Sequence, residues 1–404
     1  MRVLMFGWEF PPYSSGGLGT ACYGLTKGLA HHGASVTFVV PTKAGSSEFV
    51  KLLSAADFPG KSVRIKGISS PITAYMTSEE YEQVLDQPSV SGKAAKKVYG
   101  KNLWEEVLRY AARAGSIAKR EPHDVIHAHD WLTYKAGIAA KKSSGKPLVI
   151  HVHATEFDRG GGNGVNQGVY DIEKEGMHSA DRIIAVSGFT KGKIVEHYGI
   201  PPEKVEVVHN AVEFTNPSCA EPPRISEHDR VVLFLGRVTL QKGPDYFLYT
   251  ARKVLDHMSD VKFVVGGKGD MLPQMIEKAA ELGIADRVLF TGFVADEDLD
   301  RVYRMADLYV MPSVSEPFGI TPLEAMRNGT PVMISKTSGV SEVITHCLKA
   351  DFWDIDDMAS KIIATLHYSE LHQTLKEHGS HEVTKFDWRV PARRCIDVYN
   401  KLLC

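Results

Sequence analysis

The stretch from Leu308 to Ile334 leaves the chain few folds to choose from. Leu308-Tyr309-Val310-Met311 is a short, unbroken apolar run, the pattern of a strand buried on both faces of a parallel sheet. Pro322-Leu323-Glu324-Ala325-Met326-Arg327 reads as a helix, with Thr321 suited to its N-cap and Pro322 to its first position. Gly329 stops that helix, and Pro331-Val332-Met333-Ile334 resumes a strand. This order puts the turn between strand and helix at a carboxyl edge, where open parallel sheets bind ligands.

Two carboxylates flank the turn, Glu316 in the loop and Glu324 in the first helical turn. The amides of Gly319, Ile320 and Thr321 would point into the crevice beside the positive end of the helix dipole. Anionic oxygen fits such a place, and each glutamate can accept hydrogen bonds from hydroxyls. The combination suits a sugar joined to a phosphate. A plainer reading also fits these residues: Thr321-x-x-Glu324 is a capping box, and Glu316 is an ordinary loop carboxylate.

The same alternation runs through the chain. Arg2–Phe6 is expected as a first strand, followed by a loop from Gly7 to Gly19. A helix with Cys22, Leu25, Leu29 and Ala30 on one face then ends at Gly33, and Val36–Val40 is the next strand. Gly16 and Gly17 let backbone approach a ligand, or simply make a tight turn. A third glycine is missing and no acidic residue closes the second strand, which argues against a nicotinamide nucleotide. Gly45 to about Gly100 is poorly patterned and reads as an excursion. Strands are expected at Asp124–His127, Leu148–Ile150, Ile183–Val186 and Val205–Val208, with Ser187 capping a helix that stops near Gly199. Asp158 to Val169 is expected as a mobile, glycine-rich loop.

Asn216–Pro223 is the clearest linker. Beyond it Val231–Leu235 opens a second alternation. It ends in Gly236-Arg237, and Lys242-Gly243-Pro244 begins a helix. Arg237 and Lys242 at this lip could clamp a diphosphate, a planar fork beside a point charge, or could be solvated surface cations. Phe263-Val264-Val265 leads into a further glycine turn, Gly266-Gly267-Lys268-Gly269.

Metal ligation is weighed at two places. His127 with His129, and His151 with His153, alternate on strands, so each pair shares a face and the four could converge. No cysteine or carboxylate sits at a matching spacing, and strand-end histidines are often just hydrogen-bonded, so no metal site is expected. Asp296-Glu297-Asp298 and Asp354-Ile355-Asp356 precede helices and read as caps.

A length of 404 residues accommodates two domains with real cores. The net charge of −2 supplies no basic field for nucleic acid or anionic membrane. The five cysteines are scattered, which fits a reduced compartment. Met1–Phe6 is too short for a signal sequence, and no stretch is long and apolar enough to span a bilayer. A cytoplasmic protein is expected.

Glu316, seven residues, then Glu324, with Pro317-Phe318-Gly319 after the first, resembles the signature of retaining glycosyltransferases of family 4. Gly236-Arg237 and Gln241-Lys242-Gly243 match that family's diphosphate pair. The first loop is similar to the Gly-Gly-Leu loop of starch and glycogen synthases, with Ser14 where strict bacterial members carry lysine. His127-x-His129-Asp130-Trp131, His153 and Tyr99–Glu106 also resemble that branch.

The resemblance implies a GT-B architecture, α/β, with two doubly wound domains facing across a cleft. Residues 1–215 would form the acceptor-side domain, 216–229 a linker and 230–387 the nucleotide-sugar domain, with the C-terminal helix of 388–404 crossing back onto the first. It also implies transfer of a hexosyl group, glucosyl in the glycogen synthase-like branch, from a nucleoside diphosphate to an oligo- or polysaccharide, with retention. Glu316 would hold the sugar and Glu324 the ribose. His153 would orient the sugar through its 6-hydroxyl and steady charge near the anomeric carbon by a backbone contact. Arg237, Lys242 and the amides of Gly319, Ile320 and Thr321 would meet the diphosphate, and Gly16, Gly17, Gly236 and Gly267 would flank the donor. No metal or cofactor is then needed. Rival readings are a small or lipid-linked acceptor, a GT-B epimerase, and a binding protein without activity. The base, the acceptor and the oligomeric state are not legible.

Overall fold

The computed structural model describes residues 1–12, 16–41, 45–58, 103–161, 164–214 and 229–403. Two compact units emerge. One comprises Met1–Glu156, Gly164–Ala211 and Trp388–Cys404, the other Phe157–Asn163 and Val212–Asp387. Apart from Asp229, the expected linker at 216–229 lies outside the described residues, as do Ser14 and the segment Tyr99–Asn102.

The first unit is built on a parallel sheet of β1 (Arg2–Phe6), β2 (Ser35–Val40), β3 (Lys51–Ser54), β4 (Val125–His129), β5 (Leu148–Val152), β6 (Arg182–Ala185) and β7 (Val205–Val207). Their order is β3-β2-β1-β4-β5-β6-β7. β4 and β5 are buried at every position, as strands covered by helices on both faces must be. Helices Gly17–His31 and Arg389–Leu403 pack closely within this unit. A Cβ at Gly24 would come 2.2 Å from the Trp388 ring, and one at Gly28 2.4 Å from the Trp388 carbonyl oxygen, so the contact admits no side chain there.

The second unit holds β8 (Arg230–Leu235), β9 (Val261–Gly266), β10 (Val288–Gly292), β11 (Leu308–Met311), β12 (Val332–Ser335) and β13 (Leu348–Ala350) in the order β10-β9-β8-β11-β12-β13. Its core joins Val232, Phe234, Phe247, Phe263, Val265 and Val310 under the helices Pro244–Leu255 and Ile355–His367. Both sheets are parallel and doubly wound, each with a switch point, at β1/β4 and β8/β11.

Several local expectations change. The first helix starts at Gly17, inside the expected loop, because Gly16 is extended and closes it. Lys51–Ser54 is an edge strand paired with β2, not part of a featureless excursion. The Asp158–Val169 loop is shorter than expected: Glu156–Arg159 makes a helical turn, and Asn166 caps a helix starting at Gln167. Asp354 does cap, accepting from the Asp357 amide, whereas Asp296 is itself the first residue of its helix.

Candidate active site

Three strand-end loops of the second unit converge at its switch point. The loop after β8 lies against the one after β9: Gly236 N donates to Gly266 O at 3.0 Å and Val238 N to Lys268 O at 2.8 Å. Gly267 has φ 134°, and a Cβ there would lie 1.8 Å from Gly236 O, so only glycine permits this approach. On the other side of the switch point, the loop after β11 carries Glu316.

Gln241 ties the two loops together. Its Nε2 donates to Ser315 O at 3.0 Å, its own carbonyl accepts from Val314 N at 3.0 Å, and its Oε1 accepts from Arg237 at 3.3 Å. Lys242 Nζ forms an ion pair with Glu316 Oε2, with the lysine side chain 22% exposed and the glutamate 8%. Ser313 Oγ donates to the same oxygen at 3.4 Å. The backbone of Glu316 is pinned as well, donating to Thr337 O at 3.1 Å and accepting from Gly339 N at 2.9 Å. Gly319 has φ 101°, and a Cβ would sit 3.2 Å from Met311 Sδ and 3.3 Å from Glu316 Cγ. A larger residue would push on the carboxylate it follows.

The capping box does not form. Thr321 is the first helical residue, not the cap, and its hydroxyl accepts from Tyr309 at 2.8 Å. Glu324 Oε2 accepts from the Tyr303 hydroxyl at 2.8 Å. Burial pushes the Glu324 carboxyl above its ordinary range, opposed by the Tyr303 hydrogen bond and the charge of Arg327. The helix Thr321–Arg327 has only seven residues, so its dipole is a minor source of positive charge beside Arg237 and Lys242.

The other candidates stand on the first unit. His153 follows β5, and its amide donates to Asp130 Oδ1 at 2.7 Å. Asp130 is fully buried at φ 56°, ψ 170°, a region that side chains rarely enter, and is the sole non-glycine with positive φ among the described residues. Burial lowers the His153 pKa, with Asp130 opposing. A Cβ at Gly16 or Gly17 would meet nothing within 4 Å, and neither has a positive φ, so packing does not explain glycine at either.

Gly236, Arg237, Lys242, Gly267, Glu316, Gly319, Ile320, Thr321 and Glu324 thus share the carboxyl edge of the second unit, and Gly16, Gly17 and His153 that of the first. Sequence reading quotes Gln241 in its motif without giving it a role, and it misses Tyr303, Tyr309 and Asp158, whose Oδ1 accepts from Ser315 Oγ at 2.7 Å. Gln241 was within reach, as the neighbour of Lys242. The others lie too far along the chain for any local pattern to pair them.

Comparison with known proteins fits this geometry. Residues 15–215 match the family model described as Glycosyltransferase Family 4, and residues 219–382 the one described as Glycosyl transferases group 1. An uncharacterised glycosyltransferase of Methanocaldococcus jannaschii is 29% identical over 99% of this chain and 98% of its own. A glycogen synthase of Mycobacterium tuberculosis is 26% identical over 99% and 94%. Among solved structures, sucrose-phosphate synthase of Thermosynechococcus elongatus superposes with a TM-score of 0.76 at 17% identity, covering 99% and 98% of the two chains.

Proposed function

Because the chain belongs to the family 4 glycosyltransferases of GT-B fold, we propose that it transfers a hexosyl group, glucosyl in the first place, from a nucleoside diphosphate to a carbohydrate acceptor with retention. The observation that carries this reading is the Lys242–Glu316 ion pair beside Arg237, on loops at the switch point of the second unit. There the chain supplies both things a nucleotide sugar asks for: cations for a diphosphate and a fixed carboxylate for sugar hydroxyls.

The barrier to transfer is charge separation as the glycosidic bond breaks. Arg237 and Lys242 would stabilise the departing diphosphate, so this step needs no divalent metal. Glu316, pinned by its backbone, would hold the sugar hydroxyls and not attack the anomeric carbon. Glu324 would take the ribose, His153 the 6-hydroxyl, and the Gly319, Ile320 and Thr321 amides phosphate oxygens. Gly16 and Gly17 would let the main chain come close to the ligand, which gives glycine a reason there. In this scheme the first unit serves the acceptor, the second the donor, and 216–229 joins them. Cys22, Cys347 and Cys395 are free thiols, in keeping with a reduced, cytoplasmic setting. Among the described residues no helix is long and apolar enough to cross a membrane.

Full-length likeness to a glycogen synthase supports a polysaccharide acceptor. Ser14 in place of the lysine of strict bacterial synthases supports the second reading, a small acceptor such as another sugar or a lipid-linked one. Release of free nucleotide from UDP-, ADP- and GDP-hexoses, with glycogen and with small sugars, decides between them. Glycogen-dependent release with an α-linked product is expected. Release only with a small acceptor selects the second reading. Interconversion of the donor without any acceptor would point to an epimerase and overturn both.

A further inference from the structure

We infer that His127, His129 and His151 form a buried binding site for a zinc-class divalent cation inside the first unit. The site is separate from the transfer chemistry, which uses none of these three side chains. His127 and His129 leave the same face of β4, and His151 lies opposite His129 on β5. Their ring centroids are 4.4, 5.3 and 5.2 Å apart. One ring nitrogen from each lies within 4.8 Å of the other two.

The hydrogen bonding of these rings is what points to a ligand. All three are buried, at 0%, 0% and 2% exposure. Yet His127 Nε2, His129 Nε2 and both nitrogens of His151 have no hydrogen-bond partner. A neutral imidazole carries one N–H and one lone pair, and a fully buried polar atom rarely goes unmet. The remaining nitrogens are held from behind. His127 Nδ1 meets the Tyr399 hydroxyl at 2.5 Å, and His129 Nδ1 meets His153 Nε2 at 2.9 Å. Metal-binding histidines are oriented in this way, one nitrogen fixed by an outer partner and the other turned to the metal. Two alternate histidines of one strand with a third from its neighbour suit a tetrahedral ion, and Cys22 Sγ lies within 4.8 Å of ring nitrogens of His129 and His153 as a soft donor beside them.

Zinc–nitrogen bonds of about 2.0–2.1 Å bring tetrahedral ligands to roughly 3.3 Å from one another. Loading therefore draws the nitrogens inward and turns the rings out of a near-parallel stack, whose planes now differ by 13–27°. The ion would fasten β4 to β5 directly below His153.

Protein expressed with added zinc and gel-filtered without chelator is expected to carry about one zinc per chain by plasma mass spectrometry. His151→Phe, which keeps a ring and deletes only unpartnered nitrogens, should carry almost none. Metal-free wild type should bind Co(II) with the visible bands of a tetrahedral site, and zinc should raise its Tm by ~5 °C or more while leaving the variant unmoved. Equal zinc in wild type and variant places the metal elsewhere and overturns the inference. So does metal-free wild type that shows neither cobalt bands nor a zinc-dependent Tm. Should His151→Phe fail to fold, the wild-type cobalt titration decides alone.

Discussion

Deleting the charge of Lys242 tests the candidate site through stability as well as through rate. Lys242→Met keeps the aliphatic stem but leaves the Glu316 carboxylate, whose side chain is 8% exposed, without its cation. Breaking a fully buried ion pair costs about 3–5 kcal/mol, and the 22% exposure of Lys242 lets water share the load. A loss of ~2 kcal/mol is therefore expected, which for a unit of this size lowers Tm by roughly 4–8 °C. Glu316→Gln should cost less, ~1 kcal/mol, because the amide still accepts from Ser313 and the freed ammonium can turn to water. In the double variant no charge is stranded, so its cost should fall well short of the sum.

Turnover, followed by nucleotide release, gives a second cycle on the same proteins. Lys242→Met should slow transfer about 100-fold if the lysine stabilises the departing diphosphate. Glu316→Gln should collapse transfer to a small residual rate while free nucleoside diphosphate binds almost normally. If Lys242 acts only by orienting Glu316, the double variant is no slower than Glu316→Gln alone; if it also meets the diphosphate, nucleotide affinity drops in both variants that lack it. Strictly additive Tm losses, or a Lys242→Met protein with normal stability and rate, would refute the reasoning.

Further outcomes are expected. Arg237→Ala should lower turnover by roughly 3 kcal/mol of barrier, measured as kcat/KM, with the fold intact by circular dichroism. Transfer should survive brief EDTA treatment, and loss of activity restored by magnesium or manganese would mean that a dissociable metal neutralises the diphosphate. Glu324→Gln should weaken nucleotide binding by about 1–2 kcal/mol in calorimetry, because charge-assisted bonds to ribose are lost, while equal affinity would return Glu324 to a structural role. The pH dependence has a definite sign. The Glu324 carboxyl is raised by burial, so its proton is held more tightly in the folded state and nucleotide affinity falls on acidification at a pH above the ordinary glutamate range. Tyr303→Phe removes a bond that favours the carboxylate and should move that acid limb to higher pH still.

Most strands of the two sheets are legible because buried parallel strands leave a clear trace, short continuous apolar runs bounded by turn or helix signals. Leu308–Met311 was read to its exact ends. Lys51–Ser54 was not read, because an edge strand of four residues with one charged end has too little apolar pattern to stand out. The capping box misled for a different reason. Thr321 and Glu324 have the right types at the right spacing, but Tyr309 and Tyr303 reach both first. A local motif predicts a local bond only when no tertiary partner competes, and at a ligand site competitors are gathered on purpose.

The same reasoning bears on how the candidate site would accept a donor. Sequence separates Lys242 from Glu316 by 74 residues and assigns them to different parts of a nucleotide sugar, the diphosphate and the hexose; the fold joins them in one ion pair. Before a donor arrives the nearly buried Glu316 side chain is held in place by the cation at hand, Lys242. In the proposed reaction an incoming diphosphate would compete with Glu316 for the ammonium. If Lys242 turned toward phosphate oxygen, a Glu316 lone pair would be released for sugar hydroxyls. Gln241 links Arg237 to the carbonyl of Ser315, the residue before Glu316, so the two loops that would share this exchange are tied together. On this account the cation that would stabilise the leaving group is held, before the donor arrives, by the carboxylate that would hold the sugar.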